Sequence, residues 1–229
     1  EIATSSTRKA MYDEMNRVLA SLHSVDVQSA GLSDYGKPGS YFERQLSRWT
    51  KQYRASELEH IKEIEELISY LEANLPDDDG QVSLVHGDFR LDNMMFDMSD
   101  TKQPRVIAVL DWELSTLGHP YSDLAYQCMQ LRLPSDIAHA AGLGGLDRKQ
   151  LGIPSEQEYI KAEASQSLGI NPHMIIRWIQ EHQADHSKIS HPYQLDYTYH
   201  KLCNTKPHNE KVHKTHAVYK SVKHYHYLK

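Results

Sequence analysis

Cysteine is nearly absent from this 229-residue chain, which carries two, Cys128 and Cys203. Two thiols do not make a disulfide framework, and they fit a reducing, intracellular setting. No apolar run approaches the roughly 20 residues of a membrane-spanning helix. The mean hydropathy of -0.64 is on the polar side, so no membrane partner is expected. No signal peptide is visible. The chain opens with Glu1 rather than Met, which reads as a fragment. It also lacks a Gly-rich phosphate-covering loop ahead of residue 85 and a V-A-I-K-like strand with its lysine. The one glycine cluster, Gly142-Leu143-Gly144-Gly145, follows no strand and reads as a flexible loop. At this length the chain is about one domain and can bury a sizeable core.

Against these absences stands one dense stretch. Residues 85–97 read Val-His-Gly-Asp-Phe-Arg-Leu-Asp-Asn-Met-Met-Phe-Asp, and 106–113 read Val-Ile-Ala-Val-Leu-Asp-Trp-Glu. The pattern is His86-x-Asp88-x4-Asn93, followed by Asp111 at the end of an apolar run. Phosphoryl transfer needs an aspartate at the acceptor hydroxyl and an Asn and Asp to hold magnesium. Protein kinases carry H-x-D-x4-N with a later metal-binding Asp. Here Gly87 stands where they carry Arg.

Met94 to Phe96 reads as a short strand, and Arg105 to Leu110, rich in β-branched residues, as a second. The polar segment 97–104 between them reads as a loop, so the simplest structure is a β-hairpin. Asn93 then enters the hairpin and Asp111 leaves it. Paired strands lie about 4.8 Å apart, so both oxygens reach one Mg²⁺, which binds oxygen at about 2.0–2.1 Å. Asp88 follows a probable strand, Val82–Val85, and Gly87 lets the backbone turn beside it. Each residue also has a plain alternative. H-G-D is a common turn, and Asp and Asn are ordinary loop residues. Asp111 would serve as a helix N-cap. It is the joint order that favours a phosphotransfer site.

"LVHGDFRLDNMMF" together with "VIAVLDWELSTLGHPYSDLAY" resembles the aminoglycoside phosphotransferase/choline kinase-like group of small-molecule kinases. The branch it resembles most is the kinase-like domain found beside, or fused to, acyl-CoA dehydrogenases. "LHSVD" at 22–26, "YGKPGSYFERQLSRWTKQYRAS" at 35–56 and "LGIPSEQEY" at 151–159 support this. The likeness runs from about residue 8 to 162. It implies Asp88 as catalytic base, Asn93 and Asp111 as magnesium ligands, and ATP as phosphate donor. Asp123 resembles the buried aspartate that braces the catalytic loop, with an N-cap for a helix near Leu124 as its alternative. His86 reads as a loop-bracing histidine rather than a proton carrier, and Glu113 as a possible carboxylate beside the metal.

Helical stripes accompany the motif. Thr7 to Ser24 carries Met11, Met15, Val18, Leu19 and Leu22. Phe42 to Arg54 carries Phe42, Leu46, Trp49 and Tyr53, and Leu58 to Leu75 a third stripe with a Glu-rich solvated face. Ser122 to Gln130 reads as a helix, and Ser155 with Glu158 as a capping box opening another. Beyond residue 162 the character changes. Residues 173–229 hold ten of the fifteen histidines and nine Lys/Arg against four Asp/Glu, a formal +5. In a chain of net −6, residues 1–172 are left near −11. His182, His186, His191, His213 and His216 have metal-like spacings but no ordered Cys or carboxylate partner. A basic, Tyr-rich stretch without a recognition motif does not make a nucleic-acid site. The preferred reading of this segment is altered sequence outside the active site.

The expected fold is α+β and mostly helical, the large lobe of a protein-kinase-like fold with a small central β-hairpin. Residues 1–162 form the lobe and 163–229 an unassigned segment. The expected activity is ATP- and Mg²⁺-dependent phosphorylation of a small-molecule hydroxyl, which the family branch suggests is a hydroxyacyl-CoA. An acyl-CoA dehydrogenase domain is the expected partner. The compartment would be cytoplasmic, or mitochondrial or peroxisomal in a eukaryotic fusion. Two other readings stand beside it. One is a non-catalytic docking module. The other is a metal-dependent hydrolase using His86, Asp88 and Asp111 without ATP.

Overall fold

A computed structural model describes residues 3–37, 39–135 and 142–166. The elements, in order, are α1 (Ser5–His23), α2 (Tyr41–Ser56), α3 (Lys62–Ala73), β1 (Ser83–Val85), β2 (Met94–Asp97), β3 (Arg105–Val109), β4 (Thr116–Gly118), α4 (Tyr121–Arg132), α5 (Arg148–Leu151) and α6 (Glu156–Gln166). The described residues fall into two compact units, 39–80 and the remainder.

The larger unit is built around α1. Thr4 caps the helix through its hydroxyl, which accepts the Thr7 N–H at 3.2 Å. The expected stripe buries Met15 and Leu19 in one core with Phe89, Met94, Leu124, Leu131 and Ile160. Each such side chain contributes roughly 1.5–3 kcal/mol on burial. Polar groups on the same helix fix its partners. Asn16 donates to the Tyr159 carbonyl of α6 at 2.9 Å. Glu14 pairs with Arg17 at 2.7 Å and accepts the Val106 N–H of β3 at 3.1 Å. The Arg17 hydrogen bond, set against partial burial, holds the Glu14 carboxyl below its ordinary pKa.

The expected hairpin is present. β2 and β3 pair antiparallel, Met94 opposite Val109, with a bulge between Met95 and Phe96. A second two-stranded sheet, β1 with β4, pairs Ser83 with Gly118; β4 is too short and glycine-ended to stand out in sequence. α6 opens on the capping box. Ser155 N–H donates to Glu158 at 2.8 Å, and Glu158 N–H returns a bond to the Ser155 hydroxyl at 3.3 Å. The helix continues past the division drawn at residue 162, and Glu163 within it is fully buried. The histidine-rich part of the tail lies outside the described residues.

Gly142-Leu143-Gly144-Gly145 lies in a loop, as expected, and its backbone is packed closely against the end of α4. The Leu143 and Gly144 amides donate to the Gln130 and Leu133 carbonyls at 2.8 and 2.7 Å. A Cβ on Gly144 would sit 2.3 Å from the Arg132 carbonyl oxygen, so close backbone packing is what glycine allows there. The third helix begins at Lys62 rather than Leu58. α2 ends at Ser56, and the chain needs the next residues to reverse direction, which leaves Leu58 exposed. In that smaller unit Leu46, Trp49 and Tyr53 of α2 pack on Ile64, Leu67 and Ile68 of α3.

Candidate active site

β1 delivers the chain to His86, and Gly87 turns it. Gly87 has φ +83°, and a Cβ there would lie 2.7 Å from the Leu114 carbonyl oxygen. Both facts require glycine. The His86 ring is buried against Phe89 and Trp112, with ring centroids 5.9 and 4.6 Å away. Its Nε2 lies 2.9 Å from the Leu110 carbonyl oxygen, so it donates. Its Nδ1 accepts the Asp88 N–H at 3.2 Å. This pair of contacts fits the neutral ring protonated on Nε2. The imidazole thus ties the loop to the end of β3 with both nitrogens occupied.

Asp88 is held from two sides. Asn93 Nδ2 donates to its carbonyl oxygen at 2.8 Å and to its carboxylate Oδ2 at 3.2 Å. The Tyr126 hydroxyl donates to Oδ1. With its amide nitrogen committed, Asn93 keeps Oδ1 free of hydrogen bonds from the described residues. The Leu110 N–H donates to the Asn93 carbonyl at 2.8 Å, which extends the β2–β3 ladder by one step. Asp111 follows directly, at the exposed end of the hairpin.

Asp111 has φ 65° and ψ 56°, a left-handed conformation. It occupies the N-cap position of the short 3₁₀ turn Trp112–Leu114, as the plain alternative expects, but its side chain makes no capping hydrogen bond. Its carboxylate makes no hydrogen bond or ion pair with the described residues. A non-glycine residue in that region is a strained one, a feature that clusters at functional sites. Glu113 lies exposed on the same turn.

Asp123 is fully buried in the first turn of α4. It is not the N-cap, a position taken by Pro120. Its two oxygens instead accept the His86 and Gly87 N–H groups, each at 2.8 Å. Two partners of this loop escaped the sequence reading. Gln127 donates to the Phe89 carbonyl, and Tyr126 holds Asp88. The signal existed: Asp123, Tyr126 and Gln127 stand at i, i+3 and i+4 and share one face of α4. His23 and Glu163 also escaped it. His23 Nε2 lies 3.3 Å from Asp123 Oδ2, and His23 Nδ1 lies 3.0 Å from Glu163 Oε1. Sequence offers no local sign of that contact.

Whether these residues suit magnesium is a question of donor chemistry. Mg²⁺ takes oxygen ligands, keeps several waters, and binds through one or two carboxylates plus substrate phosphates. The Asn93 amide oxygen and the Asp111 carboxylate meet that description, as hard oxygens that the described protein leaves unpaired. No cluster of three or more His, Cys, Asp or Glu side chains is placed to hold a metal among the described residues. An all-protein cage is therefore not the form this site takes.

The profile of the phosphotransferase enzyme family, APH, matches residues 1–158. The chain belongs to that family. Mouse acyl-CoA dehydrogenase family member 10 is 46% identical over 167 residues, covering 73% of this chain and 15% of that protein. Human acyl-CoA dehydrogenase family member 11 is 45% identical over 153 residues, 67% of this chain and 19% of that protein. A crystal structure from Ralstonia eutropha JMP134, assigned to the aminoglycoside phosphotransferases, matches with a TM-score of 0.70 and 37% identity. That match covers 98% of this chain and 66% of the other. The chain thus spans under a quarter of the curated relatives described here, and its α+β fold is the kinase-like one. No helix among the described residues is long and apolar enough to cross a membrane.

Proposed function

We propose that this chain is the acceptor- and metal-binding lobe of a kinase that moves the γ-phosphate of ATP to a hydroxyl of a small molecule. The observation that carries the reading is the Asn93 bridge. One amide holds the Asp88 carboxylate while its backbone pairs with the residue before Asp111. Asp88, Asn93 and Asp111 are thereby held on one turn-and-hairpin, which supports reading them as proton acceptor and metal ligands.

In this reading Asp88 accepts the hydroxyl proton as the acceptor oxygen bonds to the γ-phosphorus and the bond from that phosphorus to the departing ADP oxygen breaks. Tyr126 and Asn93 hold its carboxylate in place, so little reorganisation accompanies the proton's arrival. The Asn93 Oδ1 and the Asp111 carboxylate would hold Mg²⁺, which when bound neutralises phosphate charge. Glu113 adds negative charge near that end. His86, with both nitrogens engaged, and Asp123 keep the loop in shape and take no proton. The relatives' names point the acceptor toward acyl-CoA chemistry, so a hydroxyacyl-CoA is the acceptor class proposed. An acyl-CoA dehydrogenase domain is the proposed neighbour in a longer protein.

The test is nucleotide dependence. Full-length protein with Mg²⁺ and a 3-hydroxyacyl-CoA, followed by ³¹P NMR, is expected to give a phosphate monoester and ADP only when ATP is present. Turnover without ATP would establish the hydrolase reading instead. ATP binding without turnover on any hydroxyl acceptor would favour the docking module.

A further inference from the structure

A buried polar ladder runs behind the catalytic loop. The side chains of His23, Asp123 and Glu163 are 1%, 1% and 0% exposed. They come from the last turn of α1, the first turn of α4 and the second half of α6. A carboxylate only accepts, so a ring that meets one at each nitrogen must donate from both, as an imidazolium does. Asp123 Oδ2, which faces the His23 ring, also accepts the His86 N–H, and Oδ1 accepts the Gly87 N–H. The contacts therefore run from Glu163 through His23 and Asp123 to the two amides just before Asp88.

We propose that His23 and Glu163 are positioning residues for the catalytic loop, the imidazolium orienting the Asp123 carboxylate that grips the His86 and Gly87 amides. The inference rests on the assignment of Asp88 as proton acceptor and extends it to residues that touch neither substrate nor metal.

Such a cation offsets the charge of the two carboxylates beside it. Asp123 and Glu163 would otherwise place two carboxylates in the same dry interior, and an unpaired buried charge is strongly destabilising. Burial pushes the His23 imidazole toward its neutral form. The hydrogen bonds and charges of Asp123 and Glu163 more than offset this and raise its pKa to about 9. Those two carboxylates are the charged groups that act on the ring from α4 and α6 among the described residues. The ring is therefore charged at neutral pH and loses its charge as pH rises through about 9.

A purely structural role would alter stability and leave the loop's chemistry alone. Full-length Glu163→Gln and His23→Gln separate the two. Glu163→Gln keeps an acceptor oxygen for His23 and removes one charge. It is expected to lower the imidazole pKa, read by NMR, by about one unit. The alkaline limb of kcat should move down with it, while KM for ATP stays put. His23→Gln is expected to speed amide exchange at His86 and Gly87 and to cut kcat by up to about 10²-fold. An imidazole titrating near its ordinary value, or a folded Glu163→Gln with unmoved kcat limb and amide exchange, would overturn the proposal. If His23→Gln does not fold, Glu163→Gln carries the test alone. Should the wild type show no ATP-dependent transfer, the kinase reading fails. The imidazole titration and the amide exchange still decide the ladder.

Discussion

Gly87 and Asp111 both adopt left-handed backbone within the candidate site, and they do so for opposite reasons. Gly87 needs its left-handed φ and has no room for a Cβ beside Leu114. Gly87→Ala is expected to destabilise the protein by about 1–2 kcal/mol or more in denaturant unfolding. Asp111 pays for its left-handed φ with no side-chain hydrogen bond in return. Its strain relief in Asp111→Gly, about 1 kcal/mol, is largely offset by the added freedom of the unfolded chain. Stability should therefore shift by less than about 0.5 kcal/mol while Mg²⁺-dependent turnover is lost. A loss of several kcal/mol with activity retained would make Asp111 a structural residue and remove it from the metal site.

Among elements, the junction of α1, α4 and α6 has a pH signature. The His23 pKa is raised to about 9 in the folded protein from an ordinary 6.5. A raised pKa stabilises fully below the unfolded value and is lost as pH climbs through the folded one. Denaturant stability is thus expected to fall between about pH 6.5 and 9, by on the order of 3 kcal/mol from this group. His23→Gln should flatten that slope; an equal slope in both proteins would contradict it. This junction also marks where the sequence stops being legible. α1, α2, the β2–β3 hairpin and the Ser155–Glu158 cap follow from periodicity and local chemistry, and the structure has them. Pairings that join distant positions do not. β4 is recognisable only by its partner β1, and His23 looks like any residue on an apolar stripe. Tyr126 and Gln127 lie between, since a helical wheel through Asp123 would have found them. The motif brought Asp88, Asn93 and Asp111 into view because its members are close in sequence. The bracing behind them is legible only in three dimensions.

At the scale of the molecule, the chain is a kinase-like lobe whose proposed site lies on one turn and one hairpin, backed by three helices. Members of the acyl-CoA dehydrogenase family share this lobe as 15–19% of their length in the two relatives compared here. The acidic body, near −11 over residues 1–172, opposes a polyanionic nucleotide. In the proposed function, a magnesium ion held by Asn93 and Asp111 would supply the positive charge that offsets this repulsion. The account turns on Asp88 being the proton acceptor. The most direct measurement is steady-state turnover and ATP affinity of the full-length protein with Asp88→Asn. The account predicts turnover lower by about 10²–10⁴-fold with ATP affinity nearly unchanged. Near-wild-type turnover in a folded Asp88→Asn protein would contradict it.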